Sequence, residues 1–285
     1  MASPVSSTSV RSTSTTDAAR ARALRTSGRW QPLLVSALAA ATLGASGIAF
    51  AQDSYPPAVQ LLIDRGVSIA DSFEAPGGLT GYAGDMQGRP VAFYLTPDGD
   101  HIIVGPMLNA NGDNLTEPKI QELVQGPLNQ KAWAQMGDSA WVLDGSADAP
   151  VIVYTFTDPN CPYCHRFRQA AEPWIDAGQV QLRHVMVGIL REDSLSKAAT
   201  ILGADDPQAA LRDNQQSYNN GGIEVNRERV SANSKRITAN NRLMGELGLS
   251  ATPSTYYKDE NGQIQMQQGL PLPEDMRAVM GSAQP

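Results

Sequence analysis

Cysteine is scarce in this chain of 285 residues, which contains only two. Both lie in one short segment, Cys161-Pro162-Tyr163-Cys164. A disulfide between residues three apart closes a very small loop and contributes only about 2 kcal/mol in the chain-entropy model. The chain therefore makes little structural use of disulfides, and a redox role explains the pair better.

An excess of positive charge is also lacking. The chain has 22 basic and 29 acidic residues and a net charge of −7. Five of the arginines and one aspartate lie in the first 51 residues, so the remainder carries 17 basic and 28 acidic residues, a net charge of −11. This acidic balance argues against nucleic acids and anionic membrane surfaces as partners.

Long hydrophobic runs are missing except near the N-terminus. There, a Ser/Thr/Ala/Arg-rich stretch precedes an apolar segment at 32–50, and Ala49-Phe50-Ala51 matches an A-x-A cleavage site. We predict a secretory signal peptide over residues 1–51. An uncleaved membrane anchor is the alternative, because the apolar run approaches spanning length. There is no Arg-Arg pair, so the twin-arginine route is not expected.

Residues 52–115 have the pattern of a small α+β unit. Proline starts a short helix at 57–64, and Gly66 stops it. His101 is interpreted as a strand-edge residue rather than a ligand. One helix over a small sheet leaves edge strands that pairing with a second copy would cover. The predicted strands are 67–73, 79–83, 91–95 and 101–104, the last two forming a hairpin.

Residues 116–143 are predicted to form a linker helix in two pieces. Thr116 is interpreted as its capping side chain, with Pro118 near the first turn. Gly126-Pro127 is expected to break or kink the helix. A turn-rich stretch at 144–150 marks the entry to a second domain, residues 144–285.

The second domain alternates strands and helices. A strand from Val151 leads into the cysteine pair, followed by a helix at 161–176 and a strand at 180–187. A helical block spans about 193–247, with helices at 194–202, 207–218 and 231–247. Thr252-Pro253, a hairpin (254–258 and 264–268) and a closing helix at 273–280 complete the chain. This order predicts an α+β protein whose second domain is a thioredoxin fold carrying a helical insertion.

Cys161 is the predicted nucleophile. At a helix N-terminus its thiolate would be stabilised by the macrodipole and by first-turn N–H groups, which lowers its pKa. We expect its sulfur to be exposed. Pro162 suits the first turn, where no N–H donor is needed. Cys164, one turn behind, would resolve the mixed disulfide.

Other interpretations of these residues stay open. Cys161 to His165 also matches the C-x-x-C-H signature of c-type haem attachment. A zinc or copper site needs more ligands than the pair supplies, and His165 should point to another helix face. His184, in an apolar strand, is more typical of a hydrogen-bonded core residue than of a catalytic base. Because the motif follows a β-strand in a thioredoxin-like order and offers too few metal ligands, we assign no cofactor and no metal.

Thr252-Pro253 is the second informative element. In this fold the proline just before a strand is cis and lies against the cysteine pair. The carbonyl of its neighbour can then pair with an extended substrate. Together with Pro162 and Tyr163, these two residues are the candidate active-site and substrate-binding positions.

With both elements placed, residues 52–285 resemble the DsbC/DsbG family of periplasmic thiol:disulfide proteins, and within it the DsbG branch. Pro162 separates the chain from DsbC-like proteins, in which glycine is usual. The segments that carry the resemblance are Asp158-Pro159-Asn160-Cys161-Pro162-Tyr163-Cys164, Glu172-Pro173-Trp174-Ile175-Asp176-Ala177-Gly178-Gln179-Val180-Gln181-Leu182-Arg183, and Thr252-Pro253 with Tyr256-Tyr257.

The resemblance implies a V-shaped homodimer. Its cystatin-like N-terminal domains would pair, and linker helices would hold two thioredoxin-like domains facing a shared cleft. It also implies a DsbD-type membrane thiol reductant as electron donor, and exported periplasmic proteins with oxidised or mispaired cysteines as substrates. Family members isomerise wrong disulfides or reduce cysteine sulfenic acids.

The resemblance leaves two points open. Where thioredoxin has a buried acid six residues before its first cysteine, this chain has Thr155, so the proton acceptor for Cys164 is not assigned. A redox-independent holdase chaperone and a DsbA-like dithiol oxidase are the alternative functions.

Overall fold

Two β-sheets joined by a helical segment make up the part of the chain that the computed structural model describes, residues 55–282 and 284–285. The predicted signal peptide lies outside these residues. Among them, no helix combines the length and the apolar character that a membrane crossing needs.

The first sheet is antiparallel and has the strand order β1-β2-β3-β4. Helix α1, Pro57–Asp64, packs on it, with a proline in its first turn and Gly66 just past its end at φ 96°. Their shared core includes Val59, Tyr82 and Phe93. The strands, three of them longer than predicted, are β1 (Val67–Ala75), β2 (Leu79–Met86), β3 (Arg89–Leu95) and β4 (Ile102–Val104).

The linker is one continuous helical segment rather than two pieces. Helix α2 (Thr116–Ile120) runs through a π-helical turn (Gln121–Gln125) into α3 (Gly126–Gly137). Pro127 lacks an N–H and its ring would crowd the carbonyl four residues earlier. The wider π turn, closed by the Gly126 N–H on the Gln121 carbonyl, absorbs that conflict without breaking the helix.

The predicted capping role of Thr116 is wrong. Its hydroxyl points inward, where it accepts from the Met107 N–H at 2.7 Å and contacts the Tyr94 hydroxyl. Asn114 caps the helix instead, because its Oδ1 accepts from the N–H groups of Thr116 (2.9 Å) and Glu117 (3.1 Å).

The second sheet has the order β5-β7-β6-β8-β9, with β6 and β7 parallel and the other pairs antiparallel. Strand β5 was not predicted, and residues 141–143 had been assigned to the linker. The strands are β5 (Trp141–Asp144), β6 (Val151–Thr157), β7 (Val180–Met186), β8 (Ser254–Lys258) and β9 (Ile264–Gln268).

The helices and strands follow one another in the order of a thioredoxin fold, which confirms the predicted fold class. The helical insertion lies between β7 and β8. The last insertion helix begins four residues earlier than predicted, because the Asn226 side chain caps it by accepting from the Arg229 N–H. The closing helix is shorter than predicted. The helices are α4 (Pro162–Asp176), α5 (Ser194–Leu202), α6 (Pro207–Gln216), a 3-10 turn (Tyr218–Asn220), α7 (Arg227–Glu246) and α8 (Met276–Val279).

Both faces of β6 are buried, as its run of β-branched and aromatic residues requires. Val153 faces the core shared with α4 and α8, whereas Tyr154 and Phe156 face the core shared with α3 and α7. The carboxyl ends of β6 and β7 lie beside the start of β8, at the same end of the sheet. The cysteine pair and Thr252-Pro253 lie at that end.

Candidate active site

Cys161 is the N-cap residue of α4, and Pro162 occupies the first turn. Its Sγ accepts a hydrogen bond from the Cys164 N–H at 3.1 Å. As a thiol, the same Sγ donates to the Thr252 carbonyl at 3.3 Å. The helix N-terminus and the segment before β8 therefore meet at one sulfur, and the structure brings together the residues that the sequence singled out.

Both cysteines are reduced and buried, each only 2% exposed. The expectation that the Cys161 sulfur is exposed is wrong. The first turn of α4 covers it from one side and the Thr252 carbonyl from the other. Pro162 and Tyr163 instead form the surface above the pair, and Tyr163 is 53% exposed.

The two sulfurs have opposite acid–base properties. The pKa of Cys161 is lowered to about 6, chiefly by a hydrogen bond from the Cys164 thiol, while burial opposes the change and Thr252 and backbone N–H groups assist it. The pKa of Cys164 is raised well above its usual 9.0, first by burial and then by the neighbouring Cys161 sulfur. Near pH 7, the chain thus pairs a thiolate with a protonated thiol.

The Thr252-Pro253 bond is cis, and Thr252 is 7% exposed. The buried Thr252 hydroxyl has no hydrogen-bond partner within the described residues, and the Thr252 side chain helps to lower the pKa of Cys161. The Pro253 carbonyl accepts from the Gly269 N–H at 2.7 Å, which ties the segment to the loop after β9. The prolyl segment is thereby fixed from both sides.

Behind the pair, the hydroxyls of Thr155 and Thr255 lie 3.1 Å apart, both residues being fully buried. Thr155 occupies the position at which thioredoxin carries an acid. Among the described residues, the Cys164 thiol donates no hydrogen bond to a carboxylate. The proton acceptor for Cys164 therefore stays unassigned.

A buried ion pair lies on the other side of α4. Arg168 donates from Nε to Asp144 Oδ2 at 2.9 Å. Burial would raise the pKa of Asp144, but His184 and Arg168 outweigh it and hold the value at about 2. Only one of the two ring nitrogens of His184 has a hydrogen-bond partner among the described residues. Nδ1 bonds Thr157 Oγ1 at 2.8 Å, whereas Nε2 has no such partner and lies 3.8 Å from Asp144 Oδ2.

His165, the last residue of the C-x-x-C-H pattern, turns away from both sulfurs. Its Nδ1 bonds Gln215 Oε1 at 2.6 Å, and its ring stacks on Tyr218 with centroids 4.4 Å apart. No cluster of three or more His, Cys, Asp or Glu residues suited to a metal occurs in the described part of the chain.

Sequence reasoning missed the contacts that hold the loop before Cys161. The Asp158 carboxylate accepts from the Asn160 N–H (2.9 Å) and the Ser194 hydroxyl (2.8 Å). Its second oxygen accepts from two successive N–H groups that follow β7. Lys197 also holds this loop, through the Asn160 side chain. It is the one charged residue of the largely apolar α5, and this is the only feature of the sequence that could have indicated its role.

Known proteins similar to this chain include a domain family and a solved structure. A family model described as a thioredoxin-like domain matches residues 145–284. A linker-deletion variant of ScsC from Proteus mirabilis aligns with a TM-score of 0.43 and 23% identity, covering 59% of this chain and 87% of that one. The matched domain and the cysteine pair at the start of α4 define a protein of the thioredoxin-like class.

Two curated relatives make the assignment more specific. Both are thiol:disulfide interchange proteins DsbG. The one from Pseudomonas aeruginosa is 42% identical over 240 residues, 84% of this chain and 94% of the relative. The one from Escherichia coli is 39% identical over 235 residues, 82% of this chain and 94% of the relative. The chain belongs to the DsbG family of thiol:disulfide interchange proteins.

Proposed function

We propose that Cys161 is the nucleophile of a reductase and isomerase acting on the cysteines of exported proteins. The observation that carries the proposal is the placement of Cys161 Sγ at the N-terminus of α4, where the Cys164 N–H donates to it at 3.1 Å and its pKa is about 6. A thiolate present at neutral pH is a competent attacking group and a good leaving group.

As a sulfenic acid reductase, the Cys161 thiolate attacks the oxidised sulfur of the substrate. A mixed disulfide forms, and the displaced hydroxide is protonated to water. Cys164, once deprotonated, attacks Cys161 Sγ and releases the substrate thiolate. The substrate gains two electrons, and the enzyme is left with a Cys161–Cys164 disulfide that an external dithiol must reduce.

As an isomerase, the same thiolate attacks a wrong substrate disulfide and releases one substrate thiolate. A different substrate thiol then attacks the mixed disulfide, forms the new substrate disulfide and expels Cys161 as thiolate. No electrons are gained or lost overall, so this route needs no reductant. Pro162, Tyr163, Thr252 and Pro253 are the residues proposed to contact the substrate in both routes.

The compartment proposed for this chemistry is the periplasm, reached through the signal peptide at 1–51. The apolar segment at 32–50 with its A-x-A site and the similarity to DsbG proteins support this location. A membrane thiol reductant of the DsbD type is the proposed donor, because sulfenic acid reduction consumes the dithiol. Nucleic acid is not a proposed partner.

We further propose that the chain works as a homodimer. Residues 52–115 would pair, residues 116–143 would act as linker, and residues 144–285 would carry the catalysis. In support, the first sheet has its own core, and its edge strand β4 leaves Ile103 and Val104 51% and 70% exposed. A sheet edge of this kind is suited to pairing with a second copy.

The mechanism is tested with a sulfenylated thiol protein and with a scrambled multi-disulfide protein. The wild type should act on at least one of them, and Cys161→Ser should abolish the activity. Cys164→Ser should accumulate a mixed disulfide through Cys161. Activity that survives Cys161→Ser would overturn the mechanism, and aggregation suppression equal in wild type and double serine variant would identify a separate holdase activity.

A further inference from the structure

Asn160, the residue immediately before Cys161, is hydrogen-bonded at every polar group. Its N–H and carbonyl are both paired, its side-chain oxygen accepts one bond, and its amide donates two. The side chain is buried, with the residue 7% exposed. The partners are Asp158 Oδ1 (2.9 Å), the Tyr218 hydroxyl (3.1 Å), Lys197 Nζ (3.0 Å), Asp193 Oδ1 (2.9 Å) and Ser194 Oγ (2.9 Å).

Burying Lys197 costs more free energy than burying any other member of this cluster. It is 7% exposed, and its ammonium has three acceptors for its three donors: Asn160 Oδ1, the Gly221 carbonyl (2.6 Å) and Asp193 Oδ2 (2.6 Å). Burying an ammonium costs free energy, and its one carboxylate partner, Asp193, has a side chain that is 47% exposed and offsets that cost only in part. Stability alone therefore gives little reason for a cation here.

The cluster joins the insertion to the active-site loop. Lys197 comes from α5 and Tyr218 from the 3-10 turn, and Asn214 of α6 donates to the Pro159 carbonyl at 3.1 Å. The loop it holds is the one that sets Cys161 at the N-cap of α4, with the Cys161 N–H on the Asp158 carbonyl at 3.0 Å.

We propose that Lys197 is a positioning residue that acts through Asn160 to hold Cys161 against the first turn of α4. The inference rests on the proposed role of Cys161 as nucleophile. Without the ammonium, the Asn160 side-chain oxygen loses its donor and only the two amide bonds hold the side chain, so the loop is less rigid and the sulfur is less often aligned with the Cys164 N–H. A thiolate with a weaker donor has a higher pKa and forms at a higher pH.

The test measures the rate at which iodoacetamide alkylates Cys161 in the full-length protein between pH 4 and 8.5, with the site identified by mass spectrometry. In the wild type, about half of Cys161 should be thiolate at pH 6. Lys197→Met should lower the rate at pH 6 about threefold, because a higher pKa leaves less of Cys161 as thiolate at that pH. At pH 8.5 the rate should be unchanged. Lys235→Met, an exposed lysine of the same insertion, is the matched control and should match the wild type.

Three further variants separate positioning from direct charge. Asn160→Ala should lower the rate at pH 6 at least as much as Lys197→Met, and combining the two should add nothing to the Asn160→Ala loss, because Lys197 acts through Asn160. The neutral pair Asp193→Asn with Lys197→Met restores the local charge balance. If Lys197 positions the loop, the rate at pH 6 should stay low in this pair.

Several results would overturn the inference. These are an unchanged pH profile in a folded Lys197→Met variant, a lower Tm without a change in that profile, additive losses in the double variant, and recovery in the neutral pair. If Lys197→Met does not fold, Asn160→Ala, which removes the acceptor of the same hydrogen bond, takes its place in the comparison with the wild type. Alkylation reports the sulfur whether or not substrate is turned over, so failure of the proposed function would appear separately, as an inactive wild type with a normal pH profile.

Discussion

Among single side chains, the contrast between Cys161 and Cys164 matters most for the chemistry. The two sulfurs share one environment, yet only Cys161 has the N-cap position and accepts the Cys164 N–H. Cys164 sits one turn deeper, where burial raises its pKa. The same hydrogen bond between the thiols therefore favours ionisation of one sulfur and opposes that of the other.

This contrast predicts a pH-dependent stability of the reduced protein. The pKa of Cys161 is about 6 when folded and near its ordinary 9.0 when unfolded. Between these values the unfolded state binds one more proton, so the free energy of unfolding should rise with pH by up to about 4 kcal/mol. The contribution is full above pH 9 and is lost as pH falls through 6.

Urea unfolding of reduced and oxidised protein from pH 6 to 9 checks this expectation. The oxidised form lacks the thiolate, and reduced Cys161→Ala lacks it as well, so neither should show the rise. A reduced wild type whose pH dependence equals that of Cys161→Ala would contradict the assigned pKa.

The buried Asp144–Arg168 pair gives a second prediction. Arg168→Met leaves the Asp144 carboxylate, 1% exposed, without its main cation. The free energy of unfolding should fall by about 3–5 kcal/mol, because an uncompensated charge stays buried. Urea unfolding at pH 7 measures the loss. Asp144→Asn combined with Arg168→Met should recover part of it, whereas a double variant no more stable than Arg168→Met would show that packing of the arginine stem dominates.

At the level of helices and strands, local signals explain which elements were predictable. The hairpin β8–β9 and helix α5 have the predicted bounds, since the Asn261-Gly262 turn and the run that begins at Ser194 define them locally. Strand β5 was missed because its four residues are held as a strand by pairing with β7, some 40 residues later in the chain. No local pattern encodes that pairing.

The same distinction applies to the site. The cysteine pair and Thr252-Pro253 were found from short motifs, and their meeting followed from the fold. The burial of Cys161 and the contacts of Asn160 were not predictable, since the Lys197 contact spans 37 residues and depends on how the insertion packs. Lys197 gave a signal only as a charge on an apolar helix.

One buried side chain of helix α7, Asn240, hydrogen-bonds to backbone groups at the second sheet. Asn240, 2% exposed, accepts from the Ala140 N–H at 3.3 Å and donates to the carbonyls of Ala140 (2.7 Å) and Met186 (2.8 Å). Asn240→Leu should lower the free energy of unfolding by about 2–3 kcal/mol, because three buried backbone groups lose their partner. Asn219→Leu, on an exposed turn, is the control for urea unfolding. Equal stability of the two variants would show that the backbone groups find other partners.

For the molecule as a whole, the two sheets have separate tasks in the proposed function. The second sheet and its insertion hold the cysteine pair, whereas the first has a core of its own and exposed apolar residues along β4. Reduction of a small sulfenic acid needs only the second sheet. In the proposed homodimer, isomerisation of a folded or collapsed substrate would gain from the cleft between the two copies.

Charge placed on the β4 edge should therefore separate assembly from chemistry. Val104→Lys puts an ammonium on a residue that is 70% exposed, in the strand proposed to pair with the second copy. Because an unpaired charge in an interface is costly, sedimentation at micromolar concentration should show a dimer in the wild type and a monomer in the variant. Alkylation of Cys161 should be unchanged, while isomerisation of the scrambled substrate should fall. Val225→Lys, on an exposed residue of the insertion, is the matched control. A monomeric wild type would remove the dimer and favour a DsbA-like oxidase, and a Val104→Lys variant that remains dimeric would place the interface elsewhere.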